Sequence, residues 1–225
     1  MSVIKTRAFA SEGARYIAEA INSSIRTHGH CVLCLAGGKT PVSVYSELIK
    51  SNIPWQNVYI AFGDERNVLH TDQQSNYAMA LESLLKHISP AQIIRMQTEL
   101  GLEQAARTYE QELLNLKTKL NRNALFDLVL LGIGSDGHTA SLFPGTNALK
   151  ETERLVVANN VPQLNTQRIT LTYPAIHSSE KVILLVNDPA KTAIMQKIWA
   201  GGDFPATHAR PHVGEAVWIV GDDKF

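Results

Sequence analysis

The chain is poor in cysteine, in net charge and in long apolar runs, and each shortage removes a class of protein. Two cysteines in 225 residues cannot staple a fold, so stability must come from burial, which a chain of this length can supply. They stand in Cys31-Val32-Leu33-Cys34, the spacing of a redox pair. That pair lies inside the apolar run CVLCL, where strand alternation sends residues 31 and 34 to opposite faces, whereas a redox pair usually opens a helix. No second cysteine pair exists to complete a zinc site. Two reduced core thiols in a cytosolic protein are expected. Lys+Arg and Asp+Glu balance at 21 each, so no global field recruits nucleic acid or an anionic membrane. No apolar run approaches the roughly 20 residues needed to cross a bilayer. The opening MSVIKTRAFASEG lacks the apolar centre of a secretory leader. The expectations are a cytoplasmic location, no nucleic-acid or membrane partner, and an open oligomeric state for which a monomer suffices.

What is abundant is alternation. Short Val/Ile/Leu-rich runs at 30–36, 57–63, 126–134, 154–159, 181–187 and 216–221 read as strands buried on both faces. Between them lie amphipathic stretches such as GARYIAEAINSSIRTH and LEQAARTYEQELLNLKTKL, the second with Leu102, Ala105, Tyr109, Leu113 and Leu116 at helical spacing. This pattern predicts an α/β fold, a mostly parallel sheet with helices on both faces. With no repeat or dividing linker, residues 1–225 read as one domain. In such sheets ligands bind beyond the carboxyl ends of the strands. Three loops rich in glycine or charge follow predicted strands: AGGKT, GDERNV and GIGSDGHTASLFPGT. They are expected to open onto one edge.

LAGGKTP (Leu35–Pro41) ends as a P-loop ends, but Leu33 stands where that motif needs glycine. Gly37 and Gly38 still allow close backbone approach, Pro41 starts a helix whose free N–H groups favour an anion, and Lys39 and Thr40 add a charge and a hydroxyl. FGDERNV places Asp64, Glu65 and Arg66 at a strand end. In the third loop, His138 follows Asp136 by two residues, close enough for the carboxylate to orient the imidazole as a general base. Ile133 excludes a serine nucleophile elbow around Ser135. Arg168, opening the strand-like RITLT, and Lys191, beginning a helix after KVILLVN, are candidates to complete an anion clamp. His208 and His212 in ATHARPHV read as loop residues with a weak metal-like spacing.

In order, AGGKTP, FGDERNV with SNYAMA, LGIGSDGHTASLFPGT, RITLT, Lys191 and the C-terminal Phe204-Pro205-Ala206, Gly214 and Trp218 resemble the 6-phosphogluconolactonase family, within the superfamily shared with glucosamine-6-phosphate deaminase. Asp64-Glu65-Arg66 and GHTASLFPG look like the lactonase branch. The deaminases typically carry a tyrosine after Asp-Glu and Asn-Glu-Pro after their Gly-His. The resemblance implies a Rossmann-like fold of the glucosamine-6-phosphate deaminase/ribose-5-phosphate isomerase/CoA transferase kind. It further implies hydrolysis of 6-phospho-D-glucono-1,5-lactone in the pentose phosphate pathway, without metal or organic cofactor. By the same resemblance His138 activates water and Asp136 supports it. Gly37, Gly38, Thr40, Arg168 and Lys191 hold phosphate or oxyanion, and Arg66, with Asp64 beside it, contacts substrate. This chain departs from the family at Lys39, where a small hydroxyl residue is usual, at Gln163-Leu164-Asn165, where Lys-Pro-Pro is usual, and at Asp188-Pro189-Ala190 before Lys191.

Overall fold

A computed structural model describes residues 2–221. The expected domain, 1–225, therefore includes residues 1 and 222–225, which lie outside the described ones. The main sheet contains β1 (Ser2–Thr6), β2 (Cys31–Leu35), β3 (Val58–Phe62), β5 (Gln92–Ile93), β6 (Phe126–Leu131), β9 (Ser179–Val186) and β10 (Glu215–Gly221), in the order β1-β10-β9-β6-β2-β3-β5. All its pairings are parallel. Between β2 and β3 runs α2 (Thr40–Leu48), and α1 (Phe9–His28) precedes β2. After β3 come α3 (Asn76–Ser83) and α4 (Leu102–Lys119), then α5 (Tyr173–His177), α6 (Thr192–Trp199) and α7 (Pro205–His208).

The sheet divides the interior into two cores. Cys31, Leu33, Leu35, Leu128 and Leu130 pack with α1 to α3 on one face. Val32, Cys34, Val129 and Leu131 pack with α4 to α7 on the other. The two cysteines thus point to opposite faces as free, buried thiols, and burial pushes both thiols up from their usual pKa. The expected α/β architecture is what the chain adopts, with one reassignment. RLVVAN, read as one more two-sided strand of the main sheet, forms β7 (Val156–Val161) of a separate antiparallel sheet, ordered β4-β8-β7 with β4 (Asp64–Arg66) and β8 (Thr166–Leu171). The physical reason is connection length: only residues 162–165 join β7 to β8, and a parallel neighbour needs a crossover of a dozen or more. The amphipathic stretch NYAMALESLLKHI is not one helix: α3 ends at Ser83 before a 3-10 turn, Leu85–His87.

The order in which strands are added reverses between β2 and β6: β3 lies to one side, β9 and β10 to the other. Such a switch point opens a crevice at the carboxyl ends of the strands. The small sheet stands over that end, because β4 continues from β3 across Gly63 alone.

Candidate active site

The three loops converge as expected. They line a 370 Å³ pocket to which the first contributes Gly37 to Thr40, the second Asp64 and Arg66, and the third His138. Arg168 and Lys191 join them from β8 and from the turn before α6. Asp136 is not part of the pocket wall; it sits behind the imidazole, its Oδ1 2.6 Å from Nδ1 of His138. The same oxygen accepts the backbone N–H of His138 at 3.1 Å. Burial alone would raise the Asp136 carboxyl, but the backbone N–H, charge and ring nitrogen of His138 outweigh it and hold it below the usual carboxylate range. With Nδ1–H donated to a carboxylate, Nε2 keeps its lone pair, the arrangement a general base needs. The ring stacks on Phe143, centroids 3.9 Å apart. It also lies over Gly134, where a Cβ would come within 2.0 Å of Nδ1. Any side chain at 134 would displace the histidine.

The first loop owes its shape to two glycines of different kinds. Gly38 has φ +88, the left-handed region that favours glycine. Gly37 is small because Asn76 packs on it; a Cβ there would meet Asn76 at 2.2 Å. Thr40 opens α2 with Pro41 in its first turn, and Lys39 stands at the N-cap without a side-chain cap bond. Gly37 to Thr40, the loop and the first residue of the helix, border the pocket, and a helix amino terminus favours an anion.

In the second loop strand alternation separates neighbours. Asp64 and Arg66 share the pocket face, while Glu65 turns inward. Glu65 accepts hydrogen bonds from the N–H groups of Arg66, Asn76 and Tyr77 and from Oγ of Ser75, all at 2.7–2.9 Å. It thereby anchors the start of α3. Asp64, 9% exposed, accepts from Asn76 Nδ2 at 3.0 Å and Ser141 Oγ at 2.6 Å. Asn76 and Ser141 were not among the residues singled out from sequence for the site, although both lie inside quoted motifs. Their signal is only that a short polar side chain beside a strand-end aspartate needs a partner once buried.

Arg66 pairs with Arg168 across the antiparallel β4–β8 ladder. Like charges directly opposite repel. Burial, then the charge of Arg66, pulls the Arg168 guanidinium below its usual value. Lys191 is the last residue of the 3-10 turn Pro189–Lys191 and the N-cap of α6, one residue short of the helix it was expected to begin. Among the described residues no carboxylate forms an ion pair with Lys39 or Lys191. The pocket therefore gathers Lys39, Arg66, Arg168 and Lys191, with no ion pair to any of them among the described residues, although the charges of Asp64 and Glu65 act on Arg168.

A metal-like trio lies elsewhere: His28, Asp127 and Glu180 bring ligand atoms within 4.8 Å of one another. The Arg122 guanidinium already bridges Asp127 and Glu180, at 2.8 and 3.0 Å, and a divalent cation would have to displace it. His208 ends α7 rather than lying in a loop, and His212 follows in the loop as expected. Among the described residues no helix is long and apolar enough to cross a membrane.

Fold and pocket together define an α/β scaffold with a cation-lined crevice at the switch point of its sheet, and the comparisons with known proteins say which family it belongs to. The model describing glucosamine-6-phosphate isomerases/6-phosphogluconolactonase matches residues 5–218, and the chain belongs to that family. It is 38% identical over 213 residues to the 6-phosphogluconolactonase of Chlamydia pneumoniae, covering 91% of this chain and 80% of the relative. The solved structure of 6-phosphogluconolactonase from Trypanosoma brucei is similar at a TM-score of 0.85 and 27% identity, covering 99% of this chain and 97% of that one. A monomeric glucosamine-6-phosphate deaminase is similar too, at a TM-score of 0.79 and 26% identity over 99% of this chain and 98% of that one.

Proposed function

We propose that this chain, acting as a single domain over residues 1–225, hydrolyses 6-phospho-D-glucono-1,5-lactone to 6-phospho-D-gluconate in the pentose phosphate pathway of the cytoplasm. The observation that carries the reading is His138, in the wall of the pocket, 2.6 Å from Asp136 behind it, beside cations that make no ion pair with a carboxylate among the described residues. His138 Nε2 takes a proton from water as its oxygen attacks the lactone carbonyl carbon. The tetrahedral intermediate collapses by breaking the bond to the ring oxygen, which receives that proton back from His138. Asp136 holds the imidazole and stabilises its charged form in between. The facing guanidiniums of Arg66 and Arg168, with Lys191 and the N–H groups around Gly37, Gly38 and Thr40, offer hydrogen bonds and charge to the phosphate and to the developing oxyanion. Lys39 adds a charge at the rim, and Asp64 accepts a hydrogen bond from a substrate hydroxyl. No step in this scheme requires a metal or organic cofactor.

The test is a lactonase assay on purified protein, corrected for spontaneous ring opening. A first-order rate that does not rise with protein concentration would sink the proposal. The likeness to a deaminase supports a second reading, deamination of glucosamine 6-phosphate on the same clamp. Ammonia release from that sugar phosphate, without lactone turnover, would favour it.

A further inference from the structure

The three site loops leave the sheet at Ala36, Phe62 and Gly132, where the ladder runs out. β2 meets β6 only at Leu33 and Cys34, and β3 meets β5 only at Tyr59 and Ile60. Beyond these pairs, Ala36 on its β6 side and Phe62 on its β5 side are buried with no strand partner, and Gly132 is half-buried, which is costly unless something else bonds their N–H and C=O groups. In a strand the N–H and C=O of one residue point to the same side, so a single hydroxyl can meet both.

At two of the three exits a buried tyrosine does this. Tyr45 Oη accepts the N–H of Ala36 at 2.9 Å and donates to its carbonyl at 2.9 Å. Tyr109 Oη accepts the N–H of Phe62 at 2.7 Å and donates to its carbonyl at 2.8 Å. The phenols come from opposite sides of the sheet, Tyr45 from α2 and Tyr109 from α4. Burial pushes both well above the usual phenol range, so each remains a donor at any pH the fold survives. At the third exit the hydroxyl comes from the histidine loop itself: Thr139 Oγ1 donates to the Gly132 carbonyl at 2.7 Å.

We infer that Tyr45, Tyr109 and Thr139 are positioning residues, each setting the angle at which one site loop leaves the sheet. They act through Gly37–Thr40, through Asp64–Arg66 and through His138 respectively, without touching substrate. The kinetic part rests on the lactonase reading; the binding part does not. Each loop does different work, so each hydroxyl has its own signature. Tyr45→Phe raises KM about tenfold and leaves kcat within about twofold, the loss of one buried hydrogen bond expressed at the anion loop. Tyr109→Phe likewise raises KM, through Arg66. Thr139→Val lowers kcat about tenfold and leaves KM within about twofold.

The experiment compares these variants with Leu48→Ala and Leu113→Ala, buried positions on the tyrosines' helices whose apolar side chains make no hydrogen bond to a site loop. Steady-state kinetics are measured beside the thermal shift produced by inorganic phosphate. Tyr45→Phe should lose most of the phosphate shift, and Leu48→Ala, similarly destabilised, should keep it. Equal melting losses with wild-type KM, kcat and phosphate shift in all three hydroxyl variants would make the hydroxyls purely structural and overturn the inference. If a variant does not fold, amide exchange in the wild type decides: the Ala36 and Phe62 amides should exchange as slowly as those of β2 and β3, and exchange at loop rates would overturn it. A wild type without lactonase turnover, whose phosphate shift is nevertheless lost in Tyr45→Phe, would remove the lactonase reading and leave the positioning role standing.

Discussion

The two ends of the parallel sheet both collect charge, and they treat it in opposite ways. At the amino end, Asp127 is fully buried, its Oδ2 accepts the Val32 N–H at 2.6 Å, and Arg122, 4% exposed, lies 2.8 Å from its Oδ1. Arg122 reaches Glu180 at 3.0 Å and His30 at 3.2 Å, and His28 closes the group 3.4 Å from Glu180. Burial raises the Asp127 carboxyl, and the Val32 N–H and Arg122 pull it back. Every charge there is answered by another within the fold. At the carboxyl end Lys39 and Lys191 have no carboxylate in ion-pair reach among the described residues, and Arg66 faces Arg168. The one deeply buried pocket carboxylate, Asp64, is already engaged by Asn76 and Ser141. Charge density alone does not distinguish a functional site from a structural one; the unanswered part of the charge does.

That contrast can be broken at either end. The largest effect is expected from His138→Ala, which should lower kcat by about a thousandfold, within the range of a lost general acid–base, while the melting temperature stays near that of the wild type. A substantial loss of stability with turnover preserved would move His138 to the structural class. At the amino end, Asp127→Asn should destabilise by about 3 kcal/mol because Arg122 is left buried with half its compensation. Denaturant unfolding reads the loss, and KM for the folded fraction should not change. Arg168→Met should raise KM about thirtyfold, as for loss of a charge-assisted contact. Removing its repulsion with Arg66 should also leave the protein no less stable, unlike the change at Asp127. The smallest effect belongs to Lys39→Ser: a rise in KM of about threefold that vanishes in high salt, as expected for an exposed charge acting through solvent.

The same contrast explains what sequence could reveal. The all-buried strands CVLCL and FDLVLL announce themselves by composition, and their order with helices between them carries the fold class. β1 has a mixed burial pattern, and β4 and β5 span only three and two residues; no periodicity can speak in so short a space. The apolar start of β7 suggests the main sheet, whereas its mixed burial and its short link to β8 go with a hairpin. For the site, the candidate residues that line the pocket were visible because glycine and charge at strand ends are visible. The facing of Arg66 and Arg168 was not, since it depends on an antiparallel register between residues distant in the chain. Nor were Tyr45 and Tyr109, whose helical spacing marks them only as core.

β1 adds a matter of timing. Among the described residues this edge strand has one neighbour, β10, and its register joins Ser2 to Val217, a pairing across nearly all of the described residues. A nascent chain emerging from the ribosome therefore displays β1 long before its partner β10 has been synthesised. The sheet can grow outward from β2 and β3, but this margin closes only once β10 has been made. Long-range pairing of that kind is slow and leaves an edge open meanwhile. The lysine at position 5, alternating with half-buried Ile4, gives that waiting edge some protection against pairing with other chains.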